Sequence, residues 1–122
     1  MNLKEIVDAL HLEVKSGVDR LDNAITGGYV SDLLSDVLAN SREGNIWITL
    51  QIHQNIVAVA GTKELSGIIL INGRAPEEDT LHKAEEEHIP IMVSSMSAFE
   101  VVGRLYALGI CGEARPGLYW NM

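Results

Sequence analysis

Asn45-Ile46-Trp47-Ile48-Thr49-Leu50 is a nearly unbroken apolar, β-branched run that passes through Gln51-Ile52-His53-Gln54-Asn55 into the helix-like Ile56-Val57-Ala58-Val59-Ala60. A strand with one buried face alternates apolar and polar residues, whereas one covered by helices on both faces is apolar throughout. This segment therefore predicts an interior strand of a parallel sheet, feeding a helix. The pattern recurs twice: Gly67-Ile68-Ile69-Leu70-Ile71 leads into a helical 77–88, and Ile89-Pro90-Ile91-Met92-Val93 leads into a helical 98–108. Joined by right-handed crossovers, strands at 46–50, 68–71 and 90–93 should be parallel and adjacent in sequence order. The expected fold class is α/β, a single three-layer-like domain over residues 1–122 with a mainly parallel central sheet and short flanking helices.

Working outward, Leu3, Ile6, Val7 and Leu10 recur at helical spacing behind the cap candidate Asn2, with Glu5 three residues on. Leu12-Glu13-Val14-Lys15 alternates as an edge strand does, and Ser16-Gly17 ends it. After a polar link at 19–23, Ala24-Ile25-Thr26-Gly27-Gly28-Tyr29-Val30 is β-like. Its two glycines call for a bulge or the close approach of another backbone or ligand. Leu33, Leu34, Val37 and Leu38 form the next helical face, with Ser31, Asp32 or Ser35 as cap. In the last helix Ser97-Ala98-Phe99-Glu100 fits a capping box, Val101, Val102, Leu105 and Leu108 form the apolar stripe, and Gly109 stands where a left-handed cap is needed. Beyond it, Leu118-Tyr119-Trp120 should fold back onto the domain or cover a second subunit.

Composition narrows the function classes. A 122-residue chain that is 47% hydrophobic has room for one core. Nine basic against seventeen acidic residues give a net charge of −8, which repels phosphate backbones and anionic membranes, so neither nucleic acid nor a membrane is an expected partner. The first residues lack a basic region followed by an apolar core, and no apolar run approaches the ~18 residues of a membrane span, so a cytoplasmic protein is expected. The single cysteine, Cys111, cannot form an internal disulfide or by itself hold a metal cluster, and reads as a small apolar filler.

Thr26-Gly27-Gly28-Tyr29-Val30-Ser31-Asp32, Glu43-Gly44-Asn45-Ile46-Trp47-Ile48-Thr49, Asn72-Gly73-Arg74-Ala75-Pro76 and Ile89-Pro90-Ile91 together resemble the DRTGG domain over nearly its whole length. That family is similar in fold to the amino-terminal domain of HPr kinase/phosphorylase. The resemblance implies a compact α/β domain without an established activity of its own, which tends to dimerise and accompanies other domains, including the CBS pairs of nucleotide-regulated pyrophosphatases. The chain departs from the name-giving residues: Ile52-His53-Gln54 stands where Gly-Asp-Arg is usual, and Ile71-Asn72-Gly73 where Thr-Gly-Gly is usual. It looks most like single-domain members, some of which occur beside hydrogenase or electron-transfer proteins.

Ligands of open parallel sheets bind outside the carboxyl ends of the strands. The expected site therefore gathers Gln51, His53, Gln54 and Asn55 after the first strand, Asn72, Gly73 and Arg74 after the second, and Ser94, Ser95 and Ser97 after the third. Amides, hydroxyls, a guanidinium and helix N-termini suit an anion, an adenine nucleotide or another phosphorylated metabolite. The competing structural reading, in which Gln, Asn and Ser cap helices and close turns, is the stronger one for most of these side chains. His53, at a helix start, is disfavoured as an imidazolium by the helix dipole. His82 and Glu86, four apart, read as part of a charged outer face and not as metal ligands. His88 should end the buried stripe of its helix, and His11 takes no role. No Walker loop, dinucleotide glycine motif, nucleophile elbow or His-Glu-x-x-His is present, and no cofactor is implied. Two readings follow: a non-catalytic regulatory domain that binds a phosphorylated ligand, or an interaction subunit of a redox (hydrogenase-type) or metabolic assembly. A homodimer is expected in either.

Overall fold

In the computed structural model, which describes residues 1–112, the opening run is an interior strand, β3 (Asn45–Thr49), every residue of it buried. The elements in order are α1 (Leu3–Leu10), β1 (Glu13–Ser16), β2 (Gly27–Val30), α2 (Leu34–Asn40), β3, α3 (Asn55–Lys63), β4 (Gly67–Leu70), α4 (Glu78–Glu87), β5 (Ile91–Val93) and α5 (Ala98–Ala107). They form one five-stranded sheet in the order β1-β5-β4-β3-β2. Strands β2 to β5 are parallel, and β1 is an antiparallel edge against β5. The expected run of three parallel neighbours, β3-β4-β5, is what the sheet contains.

Strand geometry explains the unbroken apolar runs. Successive side chains point to opposite faces, so Trp47, Ile68, Leu70, Ile91 and Val93 pack on one side with Val37 of α2, Ile56 and Val59 of α3 and Ala84 of α4. Ile46, Ile48, Ile69 and Met92 pack on the other, with Leu3 and Ile6 of α1 and Val101 and Leu105 of α5. The strand order advances one step at a time from β2 to β5. Crossovers of a single hand then lay α2, α3 and α4 on one face and leave the other to α1 and α5.

Local chemistry sets the boundaries. Asn2 and Glu5 complete the capping box of α1. The helix ends on His11 in the left-handed conformation, φ +54°, and α3 and α4 end likewise on Glu64 and His88. The β-like stretch with two glycines is β2, and another backbone does approach it. A Cβ on Gly27 would lie 2.8 Å from the Cys111 carbonyl oxygen, which accepts a hydrogen bond from the Gly28 N–H at 3.1 Å.

Several details differ from expectation. Neither Ser31, Asp32 nor Ser35 caps α2: the residue before it is Leu33, without a side-chain cap. Of its apolar face only Val37 is fully buried, while Leu33 and Leu38 are exposed. Ser97 caps α5 by accepting from the Glu100 N–H, but the Glu100 carboxylate pairs forward with Arg104 at 3.2 Å, so half of the capping box is made. His88 is exposed and hydrogen-bonds Asp19 at 2.8 Å, because the left-handed cap turns it off the buried stripe. Cys111 is exposed and not a core filler. The Tyr119-Trp120 expectation falls outside the described residues.

Candidate functional site

The carboxyl ends of the four parallel strands form one rim, and hydrogen bonds stitch its loops together. The Asp32 carboxylate, after β2, accepts from Thr49 Oγ1 at 2.8 Å and from the Leu50 N–H at 2.7 Å. Gln51 returns its side-chain amide to the Asp32 carbonyl at 2.9 Å. Farther along the rim, the Ile52 carbonyl accepts from Thr80 Oγ1 at 2.7 Å and from the Glu77 N–H at 3.2 Å, tying the loop after β3 to the start of α4.

Asn72 and Gly73, after β4, both have positive φ, +56° and +66°, and the Arg74 N–H bonds back to the Ile71 carbonyl at 3.1 Å. That is a two-residue turn of the kind Asn-Gly favours. Its inner N–H groups are committed: Asn72 donates to the Met96 carbonyl at 2.9 Å and Gly73 to the Ser94 carbonyl at 2.8 Å. Ser94, buried, accepts from the Met96 N–H at 3.0 Å. The turn therefore docks rigidly against the loop after β5 and holds Arg74 outward.

The ten expected site residues all lie on this rim but divide by role. Gln51, His53, Ser94 and Ser97 have structural work. His53 Nδ1 accepts from the Asn55 N–H at 3.2 Å, closing the start of α3, and Ser97 Oγ accepts from the Glu100 N–H at 3.3 Å. Gly73 serves through its backbone. The side chains of Gln54, Asn55, Asn72, Arg74 and Ser95 are exposed and have no hydrogen-bond or ion-pair partner among the described residues.

The helix starts also differ. The first turn of α4 carries Glu78 and Asp79 behind Glu77, carboxylates that oppose an anion, whereas α3 begins without an acidic residue. Asp32 was missed as the rim's main fastener. The signal was available in part, since an acid directly after a strand is a turn former, but its partners Thr49 and Leu50 lie 17 and 18 residues away and only strand pairing brings them together.

Among the described residues, cavities lie between other side chains. One of about 510 Å³ opens between α3 and α4, lined by Val57, Ala58, Gly61, Thr62, Lys83 and Glu87. One of about 390 Å³ lies at the opposite, amino-terminal end of the strands, beside Thr26, Glu43, Glu64 and Ser66. A smaller apolar one, about 190 Å³, is lined by Gly28, Val30, Ile48, Val102, Leu105, Ile110 and Gly112. None has a lining residue from the expected site. Among the described residues no three His, Cys, Asp or Glu side chains group as metal ligands, and no helix is long and apolar enough to cross a membrane.

No protein-family model matches the chain, and no curated protein does. A solved structure is similar in fold: the CBS and DRTGG domains of the regulatory region of Clostridium perfringens pyrophosphatase, complexed with the activator diadenosine tetraphosphate. The match has a TM-score of 0.70 at 18% sequence identity and covers 96% of this chain and 52% of that one. The chain thus spans about half the length of that regulatory region and shares the fold of the part it matches.

Proposed function

We propose that this chain is a regulatory ligand-binding domain whose rim takes a phosphorylated ligand, an adenine nucleotide before others. Arg74 carries the reading: an exposed guanidinium without a described partner, presented by a turn docked on the loop after β5, on the same rim where α3 starts without an acidic residue. Gln54, Asn55, Asn72 and Ser95 stand as free amide and hydroxyl groups on the same rim. In a chain of net charge −8, an anion needs such a local concentration of donors to overcome the unfavourable global field. The regulatory region of which this chain matches about half is complexed with diadenosine tetraphosphate, which ranks that ligand class first.

A thermal-shift panel of mononucleotides, dinucleotides and inorganic phosphate tests this. Ligand at a hundredfold its Kd adds about 2.7 kcal/mol to native stability, which for a domain of this size raises Tm by roughly 10 °C. The shift should disappear in Arg74→Ala, which removes no internal hydrogen bond and should leave the unliganded Tm unchanged. No shift with any compound at millimolar concentration, or a shift indifferent to Arg74→Ala, would reject the site.

The second reading, an assembly subunit without a ligand, is favoured by a different observation. Much of the rim is occupied by its own hydrogen bonds, while apolar side chains stand exposed on α5. An unresponsive thermal panel would leave this reading in place.

A further inference from the structure

Helix α5 is built like a core helix but has one face in water. Of its ten residues, Ala98-Phe99-Glu100-Val101-Val102-Gly103-Arg104-Leu105-Tyr106-Ala107, only Glu100 and Arg104 are charged. A helix apolar nearly all round is normally enclosed. Val101 and Leu105 face the sheet, yet Phe99 is 89% exposed and Tyr106 is 65% exposed. Phe99 and Tyr106 are seven residues apart, two turns on one side of the helix, with half-buried Val102 and exposed Gly103 between them. A Cβ on Gly103 would meet nothing within 4 Å, so the centre of this stripe is open to close approach. The stripe runs on into the apolar cavity lined by Val30, Val102 and Ile110.

We propose that this face of α5 is the interface through which two copies of the chain associate, antiparallel about a two-fold axis at Val102–Gly103. The sequence of the helix is self-complementary about that point. Phe99 and Tyr106 lie at equal distances on either side of it, so each Phe99 meets the partner's Tyr106 and the aromatic pair forms twice. Glu100 and Arg104, on one flank, are centred on Val102, half a residue from that point. The same two-fold axis places each Glu100 beside the partner's Arg104, extending the pair already formed along the helix at 3.2 Å. Two exposed aromatic rings from each copy account for on the order of 600 Å², about half of the 1,200 Å² at which stable interfaces begin. Val102, Val30 and Ile110 continue the surface. A heterologous partner would have no reason to match this internal symmetry.

The 122-residue chain should have the mass of a dimer by sedimentation equilibrium at micromolar concentration. Phe99→Asp and Tyr106→Asp should each shift it to monomer, weakening association at least tenfold. Both side chains are solvent-exposed, so circular dichroism and Tm at low concentration should match the wild type. A Gly103→Cys chain in which Cys111→Ser removes the native thiol should form a disulfide-linked dimer on mild oxidation, because a residue at the axis faces its own copy. Ala58→Cys, on the exposed side of α3, should not. A monomer at all concentrations, a dimer indifferent to both aspartates, or a Gly103→Cys chain that fails to cross-link would each overturn the proposal. If an aspartate variant fails to fold, the cross-link alone decides.

Discussion

Glu43 and Glu64 share a hydrogen bond at the amino-terminal end of the sheet, and that bond, the charge of Glu64 and slight desolvation raise the Glu43 pKa above its ordinary 4.5. The folded state thus holds this proton more tightly than the unfolded chain. Its stabilising contribution is present in full below pH 4.5 and is lost as pH rises through the raised value, leaving two carboxylates in contact at neutrality. In Glu43→Gln an amide can donate to Glu64 at any pH. The variant should therefore melt above the wild type at pH 7, with the gap closing towards pH 4. Because Glu43 is exposed the effect is small, and parallel Tm profiles across that range would show that the pair does not interact. Nothing local in the sequence marks this pair, since residues 43 and 64 meet only because β3 and α3 bring the chain back. The same holds for His11, Glu64 and His88. The spacing of apolar residues located each helix, but a left-handed end on a residue other than glycine depends on where the next segment must go.

At the level of elements, the rim is held by contacts between successive crossover loops, and Asp32 is the side chain most engaged in them. Removing its carboxylate leaves the buried Thr49 hydroxyl and the Leu50 N–H without their acceptor. Asp32→Ala should then cost about 2 kcal/mol in urea unfolding with an unchanged m-value, while Asp32→Asn, which keeps one acceptor oxygen, should lose less than half of that. Equal losses in the two variants would mean that the bonds are incidental. The candidate rim was legible as a location: strand ends followed by polar loops identify it in any parallel sheet. Which of its side chains remain available was not. Gln51, His53, Ser94 and Ser97 are the same residue types as Gln54, Asn55 and Ser95, and only their partners separate structural from free.

Across the whole molecule, stability should grade from the centre of the sheet outward. β4 has a strand on each side and helices over both faces, whereas β1 and β2 are edges. Native-state hydrogen exchange should therefore find the amides of Ile68, Ile69 and Leu70 exchanging only through global unfolding and those of β1 exchanging through smaller openings. The reverse order would contradict the packing described here. The sequence by itself determined the α/β class, the three parallel neighbours β3-β4-β5, the amphipathic first helix with its cap and the need for a bulge or a close approach at Gly27-Gly28. Each of these follows from periodicity or a local steric requirement carried by a few consecutive residues. Tertiary structure alone decided that β2 extends the parallel set, that Phe99 and Tyr106 of α5 stand exposed, that Cys111 is exposed with its carbonyl on the β2 edge, and that the side chains of Gln54, Asn55, Asn72, Arg74 and Ser95 are left free while those of Gln51, His53, Ser94 and Ser97 are bound. Those outcomes depend on which segments meet across the sheet, and packing between residues far apart in the chain is not encoded in any one stretch of it.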